Sequence, residues 1–147
     1  MKNVLIASDH AGYEVKEGIK KLLDRLKIGY VDLGSDSEAS VDYPDFAARL
    51  ASLIGQGQSE FGILVCGTGI GMQIAANKLP GVRAALAWNE ETARLARQHN
   101  DANVLTVGSR TTPAATIERI VEIFLTTSFE GGRHQQRLDK ISELERR

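Results

Sequence analysis

Residues 61–71 read Phe-Gly-Ile-Leu-Val-Cys-Gly-Thr-Gly-Ile-Gly. The first six are almost continuously apolar, which is typical of a strand buried on both faces of a parallel sheet. Three glycines in the next five residues allow the backbone to approach a ligand closely. A short helix is predicted from Met72 to Asn77. The stretch therefore predicts a strand, a glycine loop and a helix in direct succession.

Strands and helices alternate on both sides of this unit. The segments between the apolar runs have apolar residues at helical spacing, as expected of helices that cover a sheet. This order predicts an α/β protein with a three-layer, doubly wound, Rossmann-like fold, a five-stranded parallel sheet and right-handed crossovers. A single domain is expected over residues 1–147. The other four strands are predicted at Val4–Ala7, Tyr30–Leu33, Val82–Ala87 and Val104–Val107.

Two helix details are predicted from local pattern. In the helix after the first strand, Val15, Ile19 and Leu23 define the apolar face, and the pattern assigns Lys16 to the opposite, solvent face. Before the fifth major helix, Thr112-Pro113 predicts a helix start with Thr112 as the N-cap and proline in the first helical position.

Composition excludes several classes of protein. The chain has 147 residues, 42% of them apolar, with 18 Lys and Arg against 19 Asp and Glu and a net charge of −1. Near neutrality argues against nucleic acid or an anionic membrane as a partner. One cysteine excludes an internal disulfide framework. No apolar run approaches the ~20 residues of a membrane helix, and the first residues do not resemble a secretory signal. A cytoplasmic protein is expected.

Polar clusters follow the predicted strands. In an open parallel sheet, ligands bind outside the carboxyl ends of the strands, where the strand order reverses. His99-Asn100 lies at the end of a helix, just before the fifth strand. Its position in the sequence is therefore a weaker indication of a ligand site than a position after a strand. The clusters at predicted strand ends are Asp9-His10, Cys66–Gly71, Asn89 and Gly108-Ser109-Arg110.

Cys66 stands at the start of the glycine loop. The free amides and dipole of the following helix favour an anion and therefore the thiolate, which is a workable general base. The alternative is a buried structural cysteine. A dinucleotide fingerprint is disfavoured because Gly-Thr-Gly-Ile-Gly is one residue short of it, and the absence of Gly-Lys-Ser or Gly-Lys-Thr excludes a P-loop.

The three histidines and the basic residues near the end of the chain offer further chemistry. Arg133 and Arg137 are four residues apart after two glycines, a spacing that suits a phosphate, although a solvated basic turn has the same pattern. His10, His99 and His134 with Cys66 have the composition of a zinc site. No metal is predicted, because none of the usual ligand spacings occurs.

The last predicted helix, Arg133 to Arg147, is mostly polar. Leu138, Ile141 and Leu144 form a narrow apolar stripe along it. Such a stripe suits a helix–helix contact, so we expect the helix to dock on a second subunit. The alternative is a solvated, frayed tail.

Seven motifs, in order, carry a resemblance to a known family. Together they closely resemble ribose-5-phosphate isomerase type B, whose family includes galactose-6-phosphate isomerase subunits. The resemblance spans nearly the whole chain. The motifs are Ser8–Gly12, Asp42–Pro44, Cys66–Gly71, Ala75–Lys78, Arg97–Asp101, Gly108–Arg110 and Glu130–Arg137.

The resemblance implies an aldose–ketose isomerase without metal or cofactor. Such an enzyme interconverts ribose 5-phosphate and ribulose 5-phosphate through an enediolate, in the non-oxidative pentose phosphate pathway. It also implies a homodimer, with a tetramer left open, whose sites use residues of both subunits. The runner-up interpretations are a hexose-6-phosphate isomerase on the same fold, for allose or galactose 6-phosphate, and a non-catalytic sugar-phosphate sensor.

The resemblance also implies roles for individual residues. Cys66 would move the proton between C1 and C2, and His99 would assist ring opening. Thr68 would hold the enediolate oxygens together with the loop amides. Trp88 lies in a stretch that departs from the family pattern, so its role stays open. Tyr43 would line the pocket. The other implied ligand contacts are Gly67, Gly69, Ile70 and Gly71 in the loop, Asp9 and Asn100 at the sugar, and His10, Arg110, Arg133 and Arg137 at the phosphate.

Overall fold

Strands and helices alternate until the last two helices, which follow one another, in residues 3–146, the part of the chain that this computed structural model describes. The strands are β1 (Val4–Ser8), β2 (Tyr30–Asp32), β3 (Gly62–Cys66), β4 (Ala84–Leu86) and β5 (Val104–Gly108). The helices are α1 (Tyr13–Arg25), α2 (Tyr43–Gly55), α3 (Ile70–Ala76), α4 (Glu90–Asn100), α5 (Ala114–Thr126) and α6 (Arg133–Leu144). No helix within residues 3–146 has the length and apolarity that crossing a membrane requires.

The five strands form one parallel sheet in the order β2-β1-β3-β5-β4. Every residue of β1, β3 and β5 is buried, because helices cover both faces of these strands. Ile6 and Ile63 belong to a core with α1, α4 and α5, whereas Leu5 and Leu64 belong to a second core with α2 and α3. The predicted three-layer α/β fold is therefore confirmed.

The order in which the chain adds strands to the sheet reverses between β1 and β3. The chain passes from β1 outward to β2, then returns to place β3 on the other side of β1. Ser8 pairs with Val65 in this register, so the two strands end at nearly the same level. A crevice at such a reversal is the usual ligand site of an open parallel sheet.

Several predicted boundaries differ from the structure, among them those of α3, which spans Ile70–Ala76 instead of Met72–Asn77. The fourth strand is only Ala84–Leu86, because before it the Arg83 amide donates to the side chain of Asn103 instead of to a neighbouring strand. The N-cap of α5 is Pro113, not Thr112, and it makes no side-chain cap bond. The last helix ends at Leu144, and Arg147 lies outside the described residues.

Lys16 is fully buried, so its assignment to the solvent face was wrong. Its ammonium donates to both carboxylate oxygens of Asp32, at 2.7 and 2.8 Å, and to the Ser35 carbonyl at 2.6 Å. Burial pushes the pKa of Asp32 upward, but hydrogen bonds from Lys16, Lys20 and the Gly34 amide outweigh it and hold that pKa below its ordinary value of 3.8. The ion pair thus ties α1 to the end of β2 and to the loop that follows.

Asp32→Asn is expected to destabilise the protein by about 3 kcal/mol at pH 7, because it leaves a buried ammonium without its carboxylate. This is the low end of the usual cost, since the Asp32 side chain is 26% exposed. A depressed carboxyl pKa stabilises the fold above the pKa of the unfolded state, about 3.9, and this contribution is lost as the pH falls through the folded value.

Urea unfolding at pH 7 and near pH 3 measures both effects. The difference between wild type and Asp32→Asn should shrink at the lower pH. Asp36→Asn, which neutralises an exposed carboxylate four residues later, is the matched control and should change little. Equal effects of the two substitutions, or a difference independent of pH, would show that the Lys16–Asp32 pair does not act as described.

Candidate functional site

The carboxyl ends of β1, β3 and β5 meet at one edge of the sheet. Cys66 is the last residue of β3 and pairs with Gly108 of β5. Beyond the strands, the Ser109 amide donates to the Cys66 carbonyl and the Arg110 amide to that of Gly67, each at 2.9 Å. The predicted clusters after the first, third and fifth strands are therefore brought together.

The Cys66 thiol is held at the start of the glycine loop. Its side chain is buried, and Sγ accepts a hydrogen bond of 3.1 Å from the Gly69 amide. Gly69 has φ +78° and is the N-cap of α3, a left-handed conformation that favours glycine. An amide donor beside the start of a helix can hold a thiolate, the form of cysteine that accepts a proton.

The loop presents backbone donors next to this sulfur. The amides of Thr68 and Gly71 donate to no acceptor within residues 3–146. The Thr68 hydroxyl accepts from the Ile70 amide at 3.2 Å and lies on an exposed part of the loop. Fixed donors of this kind suit an oxygen that gains negative charge during a reaction.

Two side chains pack against the two ends of the glycine loop. A Cβ on Gly71 would lie 2.5 Å from the ring of Tyr43, so glycine is what allows the ring to pack there. Arg110 lies at the other end, with its guanidinium 3.2 Å from where a Cβ of Gly67 would be. Tyr43 and Arg110 thus border the loop that Cys66 begins.

His10 and Arg110 line a cavity of about 370 Å³ together with Ser109, and Glu14 and Glu38 contribute two carboxylates to its wall. That volume lies within the range of small-molecule sites. The Val41 amide donates to His10 Nδ1 at 3.2 Å, which makes Nδ1 the acceptor and Nε2 the proton-bearing nitrogen of the neutral ring. His10 can therefore donate a hydrogen bond to an anion through Nε2.

Asp9 and Asn89 have local structural contacts. The buried Asp9 carboxylate accepts from the Gly12 amide at 3.0 Å, just before α1. Asn89 caps α4, where its side chain accepts from the Thr92 amide at 2.7 Å in a capping box. The polar cluster after the fourth strand is thus explained by helix capping.

His99, Asn100, Arg133 and Arg137 do not join this edge within one chain. Because α4 runs back across the sheet, its last residues, His99 and Asn100, lie before β5, at the amino ends of the strands. Val104 and Gly108 are four residues apart, about 13 Å at ~3.3 Å per residue, and Cys66 is level with Gly108. The predicted site residues therefore form two half-sets at opposite edges of the sheet in one chain.

The second half-set is organised around His99. Its ring stacks on that of His134, with centroids 4.4 Å apart. Glu130 lies beside both rings, and its backbone amide donates to the Gln98 carbonyl at 3.0 Å, which fixes the start of α6 against the end of α4. Arg133 and Arg137 are exposed on α6, one turn apart.

Glu130 had no role in the sequence prediction, and His134 entered only the disfavoured zinc hypothesis. The four-residue spacing of Glu130 and His134 and their position in a shared motif were the available signals. Their closeness to His99 depends on how α4 and α6 meet, and this is a tertiary contact that local pattern does not contain.

Known proteins resemble this chain along nearly its whole length. Residues 4–141 match the family described as ribose/galactose isomerase. A putative sugar phosphate isomerase of Bacillus subtilis is 49% identical over 143 residues, 97% of this chain and 96% of that protein. The structure of ribose-5-phosphate isomerase B of Clostridium thermocellum superposes with a TM-score of 0.96 at 44% identity, covering 99% of this chain and 98% of that one.

A second solved structure carries a bound sugar phosphate. It is ribose-5-phosphate isomerase B of Mycoplasma genitalium with ribulose-5-phosphate, with a TM-score of 0.94 and 47% identity over 98% of this chain and 96% of that one. The match to the family model and these identities all cover far more than the glycine loop. The chain described here therefore belongs to the ribose/galactose isomerase family.

Proposed function

We propose that this chain is an aldose–ketose isomerase that interconverts ribose 5-phosphate and ribulose 5-phosphate. The observation that carries the proposal is the Cys66 sulfur, held by the Gly69 amide beside the unpartnered amides of Thr68 and Gly71. The relative from Mycoplasma genitalium binds ribulose-5-phosphate, which supports the same substrate here. The function belongs to carbohydrate metabolism, and we place it in the cytoplasm and in the non-oxidative pentose phosphate pathway.

The isomerisation moves one proton between neighbouring carbons. The Cys66 thiolate takes the proton from C2 of the open-chain aldose, and the electron pair forms the C1–C2 double bond of the enediolate. The loop amides stabilise the charge on oxygen, and the Thr68 hydroxyl lies where it can exchange a proton between O1 and O2. The Cys66 thiol then returns its proton to C1, which leaves the carbonyl at C2.

Binding and ring opening need the remaining site residues. His99 opens the furanose ring, because sugar phosphates enter mainly in closed forms. Arg133 and Arg137 bind the dianionic phosphate, whose binding energy holds the sugar at the base. His10 and Arg110 also face the phosphate, while Asp9, Tyr43 and Asn100 contact the sugar.

A complete site requires two copies of the chain, because one copy separates Cys66 from His99 by the length of β5. We propose that the carboxyl edge of one copy meets the amino edge of a second. A groove of about 760 Å³ lies between α3, β4 and α6 and is lined in part by Ile141 and Leu144. Large exposed apolar side chains on α3 and α6 support this interface: Ile70, Ile74, Ile141 and Leu144. Leu138 instead packs within its own chain.

Deletion of residues 131–147 is expected to abolish turnover and to weaken the dimer together. The deletion removes Arg133 and Arg137 along with the exposed Ile141 and Leu144. Removal of residues 146–147 alone is the control, because Glu145 still reaches the Gly81 amide. Activity assays and sedimentation equilibrium measure both properties, and an active monomer after the long deletion would contradict the shared site.

A coupled assay with ribose 5-phosphate in the presence of a chelator tests reaction, substrate and metal dependence at once. We expect turnover that the chelator does not reduce. Allose 6-phosphate and galactose 6-phosphate, assayed in parallel, should turn over more slowly. Faster turnover of either hexose phosphate would favour a hexose isomerase, and ligand binding without any turnover would indicate a sensor.

A further inference from the structure

Three potential metal ligands converge where α4, the 127–132 linker and α6 meet. Oε1 of Glu130 lies 3.8 Å from Nε2 of His99 and 3.5 Å from Nε2 of His134. One ligand atom from each residue lies within 4.8 Å of the others. We call these three residues the His99–Glu130–His134 cluster.

The separations are close to those of a zinc site. Zinc binds nitrogen and oxygen ligands at about 2.0–2.2 Å in tetrahedral geometry, so neighbouring donor atoms lie roughly 3.3–3.6 Å apart. The distance from Glu130 to His134 already meets this condition, and the distance from Glu130 to His99 is slightly longer.

The structure also indicates which ring would move. The two imidazoles are stacked at 15°, so one must tilt before both nitrogens point at one ion. The His134 side chain is only 9% exposed and is fixed, whereas that of His99 is 40% exposed and has room to turn. The hydrogen bond from the Glu130 amide to the Gln98 carbonyl anchors the linker. The Glu130 carboxylate is therefore already close to both rings.

The donor set selects the kind of ion. Two imidazoles and one carboxylate suit Zn²⁺ and related transition ions, whereas Ca²⁺ and Mg²⁺ require mainly oxygen ligands. Three protein ligands leave a fourth position open.

We propose that the His99–Glu130–His134 cluster binds Zn²⁺ reversibly and that the bound ion inhibits the enzyme. Binding occupies the Nε2 lone pair of His99, and a metal-bound nitrogen cannot take part in the proton transfer that opens the sugar ring. The binding stands on the cluster alone, while the inhibition rests on the proposed function. Zinc here is an inhibitor and not a resident cofactor.

Binding is tested on the full-length, metal-free protein by competition for Zn²⁺ with a chromophoric chelator. One ion per chain is expected, and Co²⁺ should give the visible absorption of a tetrahedral site. Glu130→Gln and His134→Ala should each weaken binding by more than about tenfold, since even loss of a metal site's second-shell partner costs ~10–100-fold. Glu143→Gln, at an exposed carboxylate on α6, is the matched control and should bind as wild type does.

Unchanged binding in Glu130→Gln and His134→Ala would overturn the proposal. Loss of binding in Cys66→Ser would also overturn it, by assigning the ion to the thiol.

The inhibition is tested by the Zn²⁺ concentration that halves turnover of ribose 5-phosphate. Glu130→Gln should raise that concentration more than about tenfold, and a chelator should restore the wild-type rate. Unchanged zinc sensitivity in Glu130→Gln would overturn the inhibitory role. Zinc binding without any turnover of the sugar would refute the proposed function and leave the site standing, whereas turnover without zinc binding would refute the site alone.

Discussion

Cys66→Ala is expected to lower kcat for ribose 5-phosphate isomerisation by roughly 10²–10⁴-fold, the usual contribution of a positioned general base. KM should change little, because Cys66 acts at the reacting carbons and the phosphate is bound elsewhere. The substitution removes one sulfur atom from a buried position and the acceptor of the Gly69 amide. Because the change is confined to one small side chain, we expect the fold to survive.

Cys66→Ser distinguishes the role of Cys66 as a base from its role as the acceptor of the Gly69 amide. Serine keeps an acceptor for the Gly69 amide, but its hydroxyl is not ionised near neutral pH. We expect an inactive protein whose thermal midpoint is close to that of wild type. If either variant retains most of the wild-type kcat, Cys66 is not the base, and the buried sulfur is only structural.

Mixing two inactive variants, Cys66→Ala and His99→Ala, is expected to restore activity from almost none to about a quarter of the wild-type level. In a dimer whose sites combine opposite edges of two copies, a mixed dimer has one site with both substitutions and one with neither. Random exchange makes about half of the dimers mixed, and one of their two sites is intact. Turnover is measured after the chains are unfolded together and refolded.

A mixture of Cys66→Ala with Thr68→Ala is the matched control. Both substitutions affect the same edge of a chain, so no combination of these chains yields an intact site. This mixture should therefore show no more activity than the average of the two variants assayed separately. Recovery in the control, or none in the first mixture, would contradict the site shared between two copies.

The buried strands and the glycine loop were predictable because their signals are local. Continuous apolar runs indicate strands covered on both faces, and the glycines after Cys66 mark a close approach of the backbone. The carboxyl-edge half of the site follows from the sheet rule, and the positions of His10, Cys66 and Arg110 agree with it.

Two features, the burial of Lys16 and the grouping of His99 with Glu130, depend on contacts that local pattern does not contain, whereas Asn89 was misassigned although its contact is local. Lys16 occupies a polar position of its helix pattern, but β2 and the following loop supply Asp32 and the Ser35 carbonyl, and this partnership permits its burial. Asn89 follows a strand as a ligand residue would, but it caps α4 through Thr92, and this three-residue spacing is an N-cap signal that the sequence contains. The grouping of His99 with Glu130 arises only where α4 meets the 127–132 linker.

The family resemblance supplied the roles of Cys66 and His99, and the structure supplied their separation. The predicted order of helix and strand already put His99 before the fifth strand, and in the structure α4 crosses the sheet, so that His99 lies at the edge opposite to Cys66. That separation makes a second copy a physical requirement of the proposed chemistry.

The central claim is that Cys66 moves a proton between C2 and C1 of the sugar phosphate. Its most direct test is to follow ribose 5-phosphate by NMR in D₂O with wild-type protein and with Cys66→Ser. We predict that wild type produces ribulose 5-phosphate carrying deuterium at C1 in those turnovers in which the thiol proton exchanges with solvent, and that Cys66→Ser gives almost no product and no deuterium at C1. Turnover and deuterium incorporation by Cys66→Ser equal to those of wild type would contradict the claim.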